Sequence, residues 1–465
     1  DERGEPYQLI ESADKFSLSI ADISPLDSDQ LDLACEQLLQ QTASKAFDLS
    51  ADVMLRAQLI KLSANEHILA VTLHHIAADG WSMAILINEL IALYRADSVS
   101  VLPELPVQYA DYAHWQRNWL QGERLQQQLG YWSNQLSGLP QVHSLPLDYP
   151  RPARQGFAGA NYASTISREL TAQLYQRCQL AGATLFMGLH AAFSVLLSRY
   201  SNESDIVVGS PIANREQSEI AGLIGFFVNT LVLRSDLSSN PSFNELLAQS
   251  KNTLLSAYAH QQVPFEQLVE KLQPERSPSH SALFQIMLVL QNNQQGNLEL
   301  PGLQLEPLPA KSVQAKYDLT LTATEVDGEL SLVWEYNTQL FAPETITKLA
   351  NHFERLLGEL LQQPDVNVFA LDMLSNAERE QLHVWSLTEA EFSDDQRCIH
   401  QLFEAQAEET PQAIAVTCDG ESLTYEQLNT KANQLAHYLI AEHNIQPDTL
   451  IGLCMTRSLD MLVGL

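Results

Sequence analysis

The sequence is poor in basic residues: its 465 residues include 26 lysines and arginines against 57 aspartates and glutamates. The resulting formal net charge of −31 argues against a nucleic-acid backbone or an anionic membrane surface as the main partner. We therefore expect no nucleic-acid partner and no membrane partner, and an acidic, solvated surface is sufficient to explain the charge.

Cysteines are few, and long apolar runs are missing. The five cysteines lie far apart without a Cys-x-x-Cys pair, which argues against structural zinc and favours a reducing cytoplasm. No apolar run reaches the eighteen or so residues of a membrane-spanning helix, and no cationic segment followed by an apolar one stands at the start. Because the chain opens on Asp1 rather than methionine, we expect it to be an excerpt of a longer protein.

The most informative stretch is a predicted strand that runs into a loop with two histidines. Residues 68–73 are apolar and partly β-branched, as in a buried strand, and His74 and His75 follow directly. Asp79 or Ser82 can cap the helix that begins next, whose apolar residues recur at helical spacing. The sequence therefore predicts a histidine loop held between a rigid strand and a helix N-terminus.

Three interpretations of the pattern His-His-x-x-x-Asp-Gly are open. The histidines can be packed in a core beside an Asp-Gly turn, or they can bind a metal together with Asp79. Adjacent residues of a strand point to opposite faces, so His74 and His75 are poorly placed to share one ion. In the third interpretation one imidazole reaches a pocket and accepts a proton from an attacking amine or hydroxyl, which suits acyl transfer. Gly80 and the following helix N-terminus would then approach a developing oxyanion.

The remainder of the chain has a mixed α/β pattern in several parts. A helix is predicted from about Val107 to Leu136, with its aromatic residues in core packing, and a proline-rich connection follows at 138–159. Ser375 to Arg397 is polar and acidic, as linkers are. We predict domains at 1–150 and 151–375, a linker at 376–398, and an incomplete α/β unit at 399–465 with a strand at Leu450 to Cys454.

Six short motifs succeed one another along the chain: HHIAADG at 74–80, YADYAHWQ at 109–116, IGFFVNT at 224–230, HQQVPFE at 260–266, RSPSHSALFQ at 276–285 and LTYEQL at 423–428. The first five resemble, in order, the core motifs of condensation domains of nonribosomal peptide synthetases. The sixth is similar to the opening motif of adenylation domains. The resemblance covers most of the chain, and one motif differs by Ala282 in place of the family's usual proline.

The resemblance implies an α/β fold with two chloramphenicol-acetyltransferase-like lobes in a V-shaped pseudo-dimer, followed by the start of an adenylate-forming domain. It implies that upstream and downstream peptidyl carrier proteins deliver substrates on phosphopantetheine, with no directly bound cofactor or metal. The α-amine of the downstream aminoacyl thioester would attack the upstream thioester. The chain's own adenylation domain is a further expected partner, although adenylation activity is not expected from the truncated segment.

The resemblance assigns roles residue by residue. His75 matches the catalytic position, as a proton acceptor or as a group that orients the amine, and His74 is expected to be structural. Asp79 is expected to be an ion-pair residue whose arginine lies in an Ala-Gln-x-Arg motif upstream of this chain. Gly80 is the candidate for oxyanion stabilisation. Candidates for substrate binding are Trp81, Ser82 and Asn229, where Asn229 has strand packing as its alternative role.

Other functions share parts of this pattern. An epimerisation domain has the same histidine motif, but the adenylation-like start at Ile399 argues against it. A stand-alone acyltransferase that uses coenzyme A is disfavoured by the later motifs. A catalytically idle platform that docks carrier proteins or a tailoring enzyme is disfavoured by an intact His75. Within condensation, residues 81–83 and 226–227 resemble the type that joins two L-residues, while a dual epimerising type stays open.

Overall fold

The structure is a computed structural model that describes residues 7–96, 101–291, 299–300, 302–308, 313–389 and 397–465. The chain divides into two compact units, residues 1–379 and 380–465. The first unit contains a three-stranded sheet and a seven-stranded sheet, and we call the parts built on these two sheets the first and second lobes. The lobe and linker boundaries given above, at 150, 375 and 398, stay predictions.

The first lobe is a small sheet with helices before and after its hairpin. Its elements are β1 (Ser19–Asp22), α1 (Ser28–Ser44), β2 (Leu55–Lys61), β3 (His67–Leu73) and α2 (Gly80–Arg95). The strand order is β1-β2-β3, with β1 parallel and β3 antiparallel to β2. The polar turn between β2 and β3 closes a hairpin, and the end of β3 leads through the histidine loop to the N-terminus of α2.

Two helices lead towards the second lobe, α3 (Tyr109–Trp119) and α4 (Gly122–Gln135). The sequence predicts one continuous helix here, and that prediction is wrong. Gly122 takes a φ of +58°, in the left-handed region that glycine enters without steric cost, and α4 begins at this residue. Helix α4 packs on the core of the second lobe, where the Trp132 indole donates a hydrogen bond to the His260 carbonyl at 2.8 Å.

The second lobe is a seven-stranded mixed sheet covered by helices. Its elements are β4 (Ala158–Ile166), α5 (Arg168–Leu180), α6 (Leu185–Ser201), β5 (Asp205–Ile212), β6 (Asn229–Asp236), α7 (Phe243–Ala259), α8 (Phe265–Leu272), β7 (Ile286–Gln291), β8 (Glu299–Leu300), β9 (Leu303–Gln304), β10 (Val313–Gln314), β11 (Leu319–Val326), β12 (Glu329–Asn337) and α9 (Pro343–Gln362). The strand order in the seven-stranded sheet is β10-β4-β12-β11-β7-β5-β6. β8 and β9 form a separate two-stranded pair.

The main hydrophobic core belongs to the second lobe. It includes nearly the whole of α6, from Leu185 to Leu197, together with the inward faces of the central strands. Trp132 and Leu145 are part of this core, so the chain enters it before residue 150. Strand β4 lies where the proline-rich connection was expected to end, and its alternating burial is the period-two pattern of a strand with one covered face.

The connection between the lobes is tied down at a buried carboxylate. Asp318 is fully buried, and its Oδ2 accepts hydrogen bonds from Arg151 Nη2 at 2.6 Å and His143 Nε2 at 2.9 Å. Burial acts to raise the pKa of Asp318, but the contacts with His143 and Arg151 outweigh it and hold the pKa below its ordinary value. The connection is thereby fixed to the start of β11.

The second unit holds a short antiparallel hairpin between helices. Its elements are α11 (Ile399–Glu409), β13 (Ile414–Cys418), β14 (Glu421–Thr424), α12 (Tyr425–His443) and α13 (Leu459–Gly464), while α10 (Asn376–Ser386) spans the division between the units. Helix α10 occupies the first part of the predicted linker. The predicted strand at Leu450 to Cys454 is wrong, because these residues pair with no other strand and Leu450 is 98% exposed.

Among the described residues, no single helix has the length and apolar composition needed to cross a membrane. Helices α5 and α6 meet that test only when taken together, and they are bent by 107° at the break between them.

A buried histidine in α6 gives the second lobe a pH-dependent stability. Ser250 Oγ donates to the Met187 carbonyl, so His190 Nδ1–H donates to Ser250 Oγ at 2.9 Å and the imidazole is neutral. Burial lowers the pKa of His190 to about 4. Because the unfolded chain binds this proton near pH 6.5, stability is full above that pH and falls as the pH drops towards 4. We expect a loss of about 2 kcal/mol in the free energy of unfolding between pH 7 and pH 5.

Urea denaturation at both pH values measures this loss. The variant His190→Asn keeps a donor for Ser250 but cannot titrate, so its free energy of unfolding is expected to change less over the same interval. Equal pH dependence in the two proteins would contradict the assignment.

Candidate active site

The histidine loop is fixed at both ends by backbone hydrogen bonds. His74 N donates to the Met54 carbonyl at 3.1 Å, which extends the β2–β3 pairing, and Ala77 N donates to the His74 carbonyl at 3.0 Å. Asp79 then caps α2, because its Oδ1 accepts from Ser82 N at 2.9 Å. The strand, loop and capped helix predicted from the sequence are confirmed.

The two histidines face different neighbours. His74 Nδ1 accepts from Ile76 N at 3.0 Å, and its ring lies edge-on to Phe47 of the first lobe. His75 is exposed, and its ring centroid lies 5.3 Å from that of Phe226, which comes from the second lobe. Within the described part of the chain, neither nitrogen of His75 has a hydrogen-bond partner. His75 is therefore the imidazole that is free to meet a substrate.

Asp79 is buried, with 3% of its surface exposed, and it joins the two lobes. Its carboxylate accepts from Ser82 Oγ at 2.7 Å and from Phe227 N at 3.0 Å. Arg215 Nη2 lies 3.2 Å from Asp79 Oδ1. Burial alone would raise the pKa of Asp79, but hydrogen bonds from Ser82 and Phe227 and the charge of Arg215 outweigh it, so the pKa is lowered. Asp79 is an ionised anchor of the loop.

Arg215 is a partner of Asp79 that the sequence did not indicate. The arginine expected upstream lies outside this sequence and stays a prediction, while Arg215 of the second lobe forms an ion pair with Asp79. Arg215 Nη1 donates to the carbonyls of Ile220 and Leu223, each at 2.7 Å, and its guanidinium lies 4.0 Å from the centre of the Phe227 ring. Burial lowers the pKa of Arg215, partly offset by Asp79. Arg215 thus ties the loop to the second lobe.

The buried side chains of Ser82 and Asn229 form hydrogen bonds within the fold. Ser82 is fully buried, and its Oγ accepts from Gly225 N at 3.1 Å and Arg215 Nη2 at 3.0 Å, while its single proton faces Asp79 and the Gly225 carbonyl.

Asn229 uses its whole amide group. Nδ2 donates to the carbonyls of Gln261 and Val263 at 2.8 and 2.7 Å, and Oδ1 accepts from the backbone N–H groups of Thr230 and Phe265. All its hydrogen-bonding capacity is satisfied. These contacts fit the strand-packing alternative for Asn229, and the substrate-binding role of Ser82 and Asn229 stays a prediction.

Gly80 and Trp81, at the start of α2, retain open surface. A Cβ placed on Gly80 would meet no heavy atom within 4 Å, so the space next to the helix N-terminus is free. Trp81 is 39% exposed and its indole N–H donates to the Ala221 carbonyl at 3.0 Å, which fixes the ring. The negative charge of Asp79 at the same helix end reduces the positive potential that Gly80 would offer to an oxyanion.

An aromatic cluster supports this crossing between the lobes. Tyr112 packs with Ile220, Leu223 and Phe227, and Tyr109 lies against them. Burial raises the pKa of Tyr112 to about 12. Core packing, predicted for the aromatic residues of this helix, is confirmed for Tyr109 and Tyr112.

The described residues contain no group of three or more His, Cys, Asp or Glu side chains arranged to hold a metal ion. The sequence motifs found His75 and Asp79 but missed Arg215, which lies nine positions before Ile224. In the sequence, Arg215 is distinguished only as one of relatively few basic residues. Its spacing from Asp79 does not indicate that the two side chains pair.

Comparison with known families and proteins agrees with this geometry. The Condensation domain family matches residues 1–383, and the AMP-binding enzyme family matches residues 403–465. A component of the linear gramicidin synthase of Brevibacillus parabrevis is 44% identical over 467 residues, covering 99% of this chain and 6% of that protein. Malpinin synthetase of Mortierella alpina is 42% identical over 450 residues, covering 96% of this chain and 6% of that protein. The chain thus spans less than a tenth of the length of these relatives.

Solved structures have the same fold. The X-domain from teicoplanin biosynthesis superposes with a TM-score of 0.70 at 30% identity, over 77% of this chain and 81% of that one. A four-domain nonribosomal peptide synthetase bound to AMP and glycine has a TM-score of 0.68 at 24% identity, over 92% of this chain and 33% of that one. The chain belongs to the condensation-domain family of nonribosomal peptide synthetases, with its chloramphenicol-acetyltransferase-like pseudo-dimer fold, and continues into the start of an AMP-binding domain.

Proposed function

We propose that this chain forms amide bonds between two carrier-bound substrates. The acyl group of an upstream peptidyl or aminoacyl thioester is transferred to the α-amine of a downstream aminoacyl thioester, both held on the phosphopantetheine of carrier proteins. The adenylation domain that begins in the second unit would load the downstream carrier. The observation that carries the proposal is the free imidazole of His75, exposed on a loop that the buried Asp79 and Arg215 pair anchors across the lobes.

The chemistry requires one proton to move. The amine nitrogen attacks the thioester carbonyl carbon, the new C–N bond forms, and the C–S bond breaks to release the carrier thiolate. As a proton acceptor, His75 would take the ammonium proton of the tetrahedral intermediate and pass it to the thiolate, so His75 would be unchanged at the end. A thioester is already activated, and holding the two ends in line supplies much of the rate. His75 therefore acts either as this proton acceptor or by orienting the amine.

The free space at Gly80 and the exposed surface of Trp81 belong to the segment that directly follows the histidine loop, which supports placing a substrate group there. The buried Ser82 and Asn229 have no free donor for it. We further propose the type that joins two L-residues, on the likeness of residues 81–83 and 226–227 noted above. Chiral analysis of the product from L- and D-configured donors tests this, and epimerised product would instead indicate an epimerising type.

Replacing His75 with alanine is expected to lower the single-turnover rate of amide formation at least about tenfold, the low end of what a positioned proton acceptor contributes. The measurement uses the full synthetase module with two loaded carrier proteins and rapid quench. His67→Ala is the matched control, because His67 is an exposed histidine at the other end of the same strand. An unchanged rate in His75→Ala would exclude a catalytic role for this residue.

A second candidate function is a platform that docks another protein without chemistry. One solved relative with a TM-score of 0.68 is described as a complex of the X-domain and OxyB, so this fold holds a partner protein in that case. The same experiment separates the two functions. A module that forms no amide with either the native chain or His75→Ala, while it still binds carrier or tailoring proteins, would favour the platform.

A further inference from the structure

The segment Gly225 to Phe227 belongs to the second lobe, and its backbone is clamped by hydrogen bonds to residues outside that lobe. These residues are Asp79 and Ser82, at the end of the histidine loop, and Tyr109 of α3. The Gly225 carbonyl accepts from Asp79 N at 3.2 Å, and Gly225 N donates to Ser82 Oγ at 3.1 Å. Phe227 N donates to Asp79 Oδ2 at 3.0 Å, and the Phe226 carbonyl accepts from Tyr109 Oη at 2.9 Å. All three residues are therefore held through main-chain atoms.

This clamp gives the two phenylalanine side chains opposite surroundings. Phe227 is 2% exposed and packs on Tyr109 and Tyr112. Phe226 is 37% exposed, and its ring meets His75 at an interplanar angle of 72°, an edge-to-face contact. The backbone hydrogen bonds thus fix the position of Phe226, and its ring packs against the His75 imidazole.

His75 needs such a contact. Its ring nitrogens have no hydrogen-bond partner among the described residues, whereas His74 is oriented by the N–H of Ile76. An imidazole without a hydrogen bond turns about χ2 with little resistance, because this torsion is broad. An edge-to-face aromatic contact at a centroid distance of 5.3 Å lies within the range in which such pairs are attractive.

We infer that Phe226 is a positioning residue that crosses from the second lobe to hold the His75 imidazole in its productive orientation. The inference rests on the proposed function. Phe226 acts through His75 alone. Its loss is therefore expected to lower the rate of amide formation at saturating carrier proteins, without changing the carrier concentrations that give half the maximal rate. Because Phe226 comes from the second lobe, His75 is oriented only while the two lobes stay clamped.

The test compares Phe226→Leu with Phe226→Tyr in the full module by single-turnover amide formation. Phe226→Leu is expected to lower the saturated rate about three- to tenfold, the range that one aromatic contact supports. Phe226→Tyr keeps the ring and is expected to stay within about twofold of the native rate. Phe369→Leu is the matched control, because Phe369 is 38% exposed in the same unit and far from the loop in sequence.

A combined variant separates positioning from substrate contact. In a His75→Ala background, Phe226→Leu is expected to cause no further loss of rate. A further loss of the same size there, or an increase in the half-saturating carrier concentration, would overturn the inference.

A second measurement does not depend on turnover. The chain has 13 histidines, and labelling them with ¹³C at Cε1 gives one resonance each, with His75 assigned by its loss in His75→Ala. Phe226→Leu is expected to shift the His75 resonance more than any other, and Phe226→Tyr to shift it little. An unmoved His75 resonance in Phe226→Leu would refute the contact even if the proposed function holds. A shifted resonance in a module that makes no amide would instead contradict only the proposed function.

Discussion

Replacing Arg215 with alanine is expected to lower the free energy of unfolding of the first unit by roughly 3–5 kcal/mol, the cost of leaving one partner of a buried ion pair alone. Both side chains are only 2% exposed, so water cannot replace the lost guanidinium beside Asp79. The carbonyls of Ile220 and Leu223 lose their donor as well. Urea denaturation of the full chain measures the loss.

The control is an arginine whose ion pair lies at the surface. Arg379 pairs with Asp372, and its side chain is 52% exposed, so Arg379→Ala is expected to leave the urea midpoint nearly unchanged. The double variant Asp79→Asn, Arg215→Met removes both charges and is expected to recover part of the stability. A loss below about 1 kcal/mol in Arg215→Ala would place that pair with ordinary surface pairs and contradict the anchoring role.

The second large effect is expected from Gly225→Ala. A Cβ at this position would lie 2.7 Å from Cε2 of Phe227 and against the ring of Tyr109, so the residue cannot be enlarged without moving the clamp. We expect a loss of about 1–3 kcal/mol in stability, as for other overpacked sites. We also expect at least a tenfold lower rate of amide formation, since Asp79 and Ser82 would lose their Gly225 contacts. Thermal denaturation and single-turnover kinetics measure the two losses.

A second glycine variant provides the comparison. Gly358 lies within α9, where a Cβ would meet nothing within 4 Å, and Gly358→Ala is expected to be neutral or slightly stabilising. If Gly225→Ala kept native stability and native rate, close packing at this glycine would not be needed for the clamp. Retained stability with a lost rate would still support the clamp.

The local part of the site could be predicted from the sequence, because it depends on neighbours in the chain. The apolar run before His74 indicates a strand, and an aspartate three residues before Ser82 indicates a helix cap. The turn at 327–328 is also local, since Asp-Gly between two alternating segments is a strong hairpin signal, and β11 and β12 pair on either side of it.

The long-range part could not be predicted in this way. Arg215 lies 136 positions from Asp79, and Asn229 meets backbone groups more than 30 positions away. The periodic patterns of helices and strands do not predict contacts between residues so far apart in the sequence. The same limit applies to the break at Gly122, where a single glycine is compatible with a continuous helix and only packing against the second lobe decides otherwise.

The clamp at Gly225 to Phe227 has a consequence for building hybrid synthetases. Main-chain atoms supply the second lobe's half of those four hydrogen bonds, and the side chains needed for them are Asp79, Ser82 and Tyr109. A lobe taken from a relative is therefore expected to keep this clamp where these three residues, Arg215 and Gly225 are shared. The clamp does not use the side chain at 226, so exchanged lobes that differ at this position are expected to differ in how they orient the His75 imidazole.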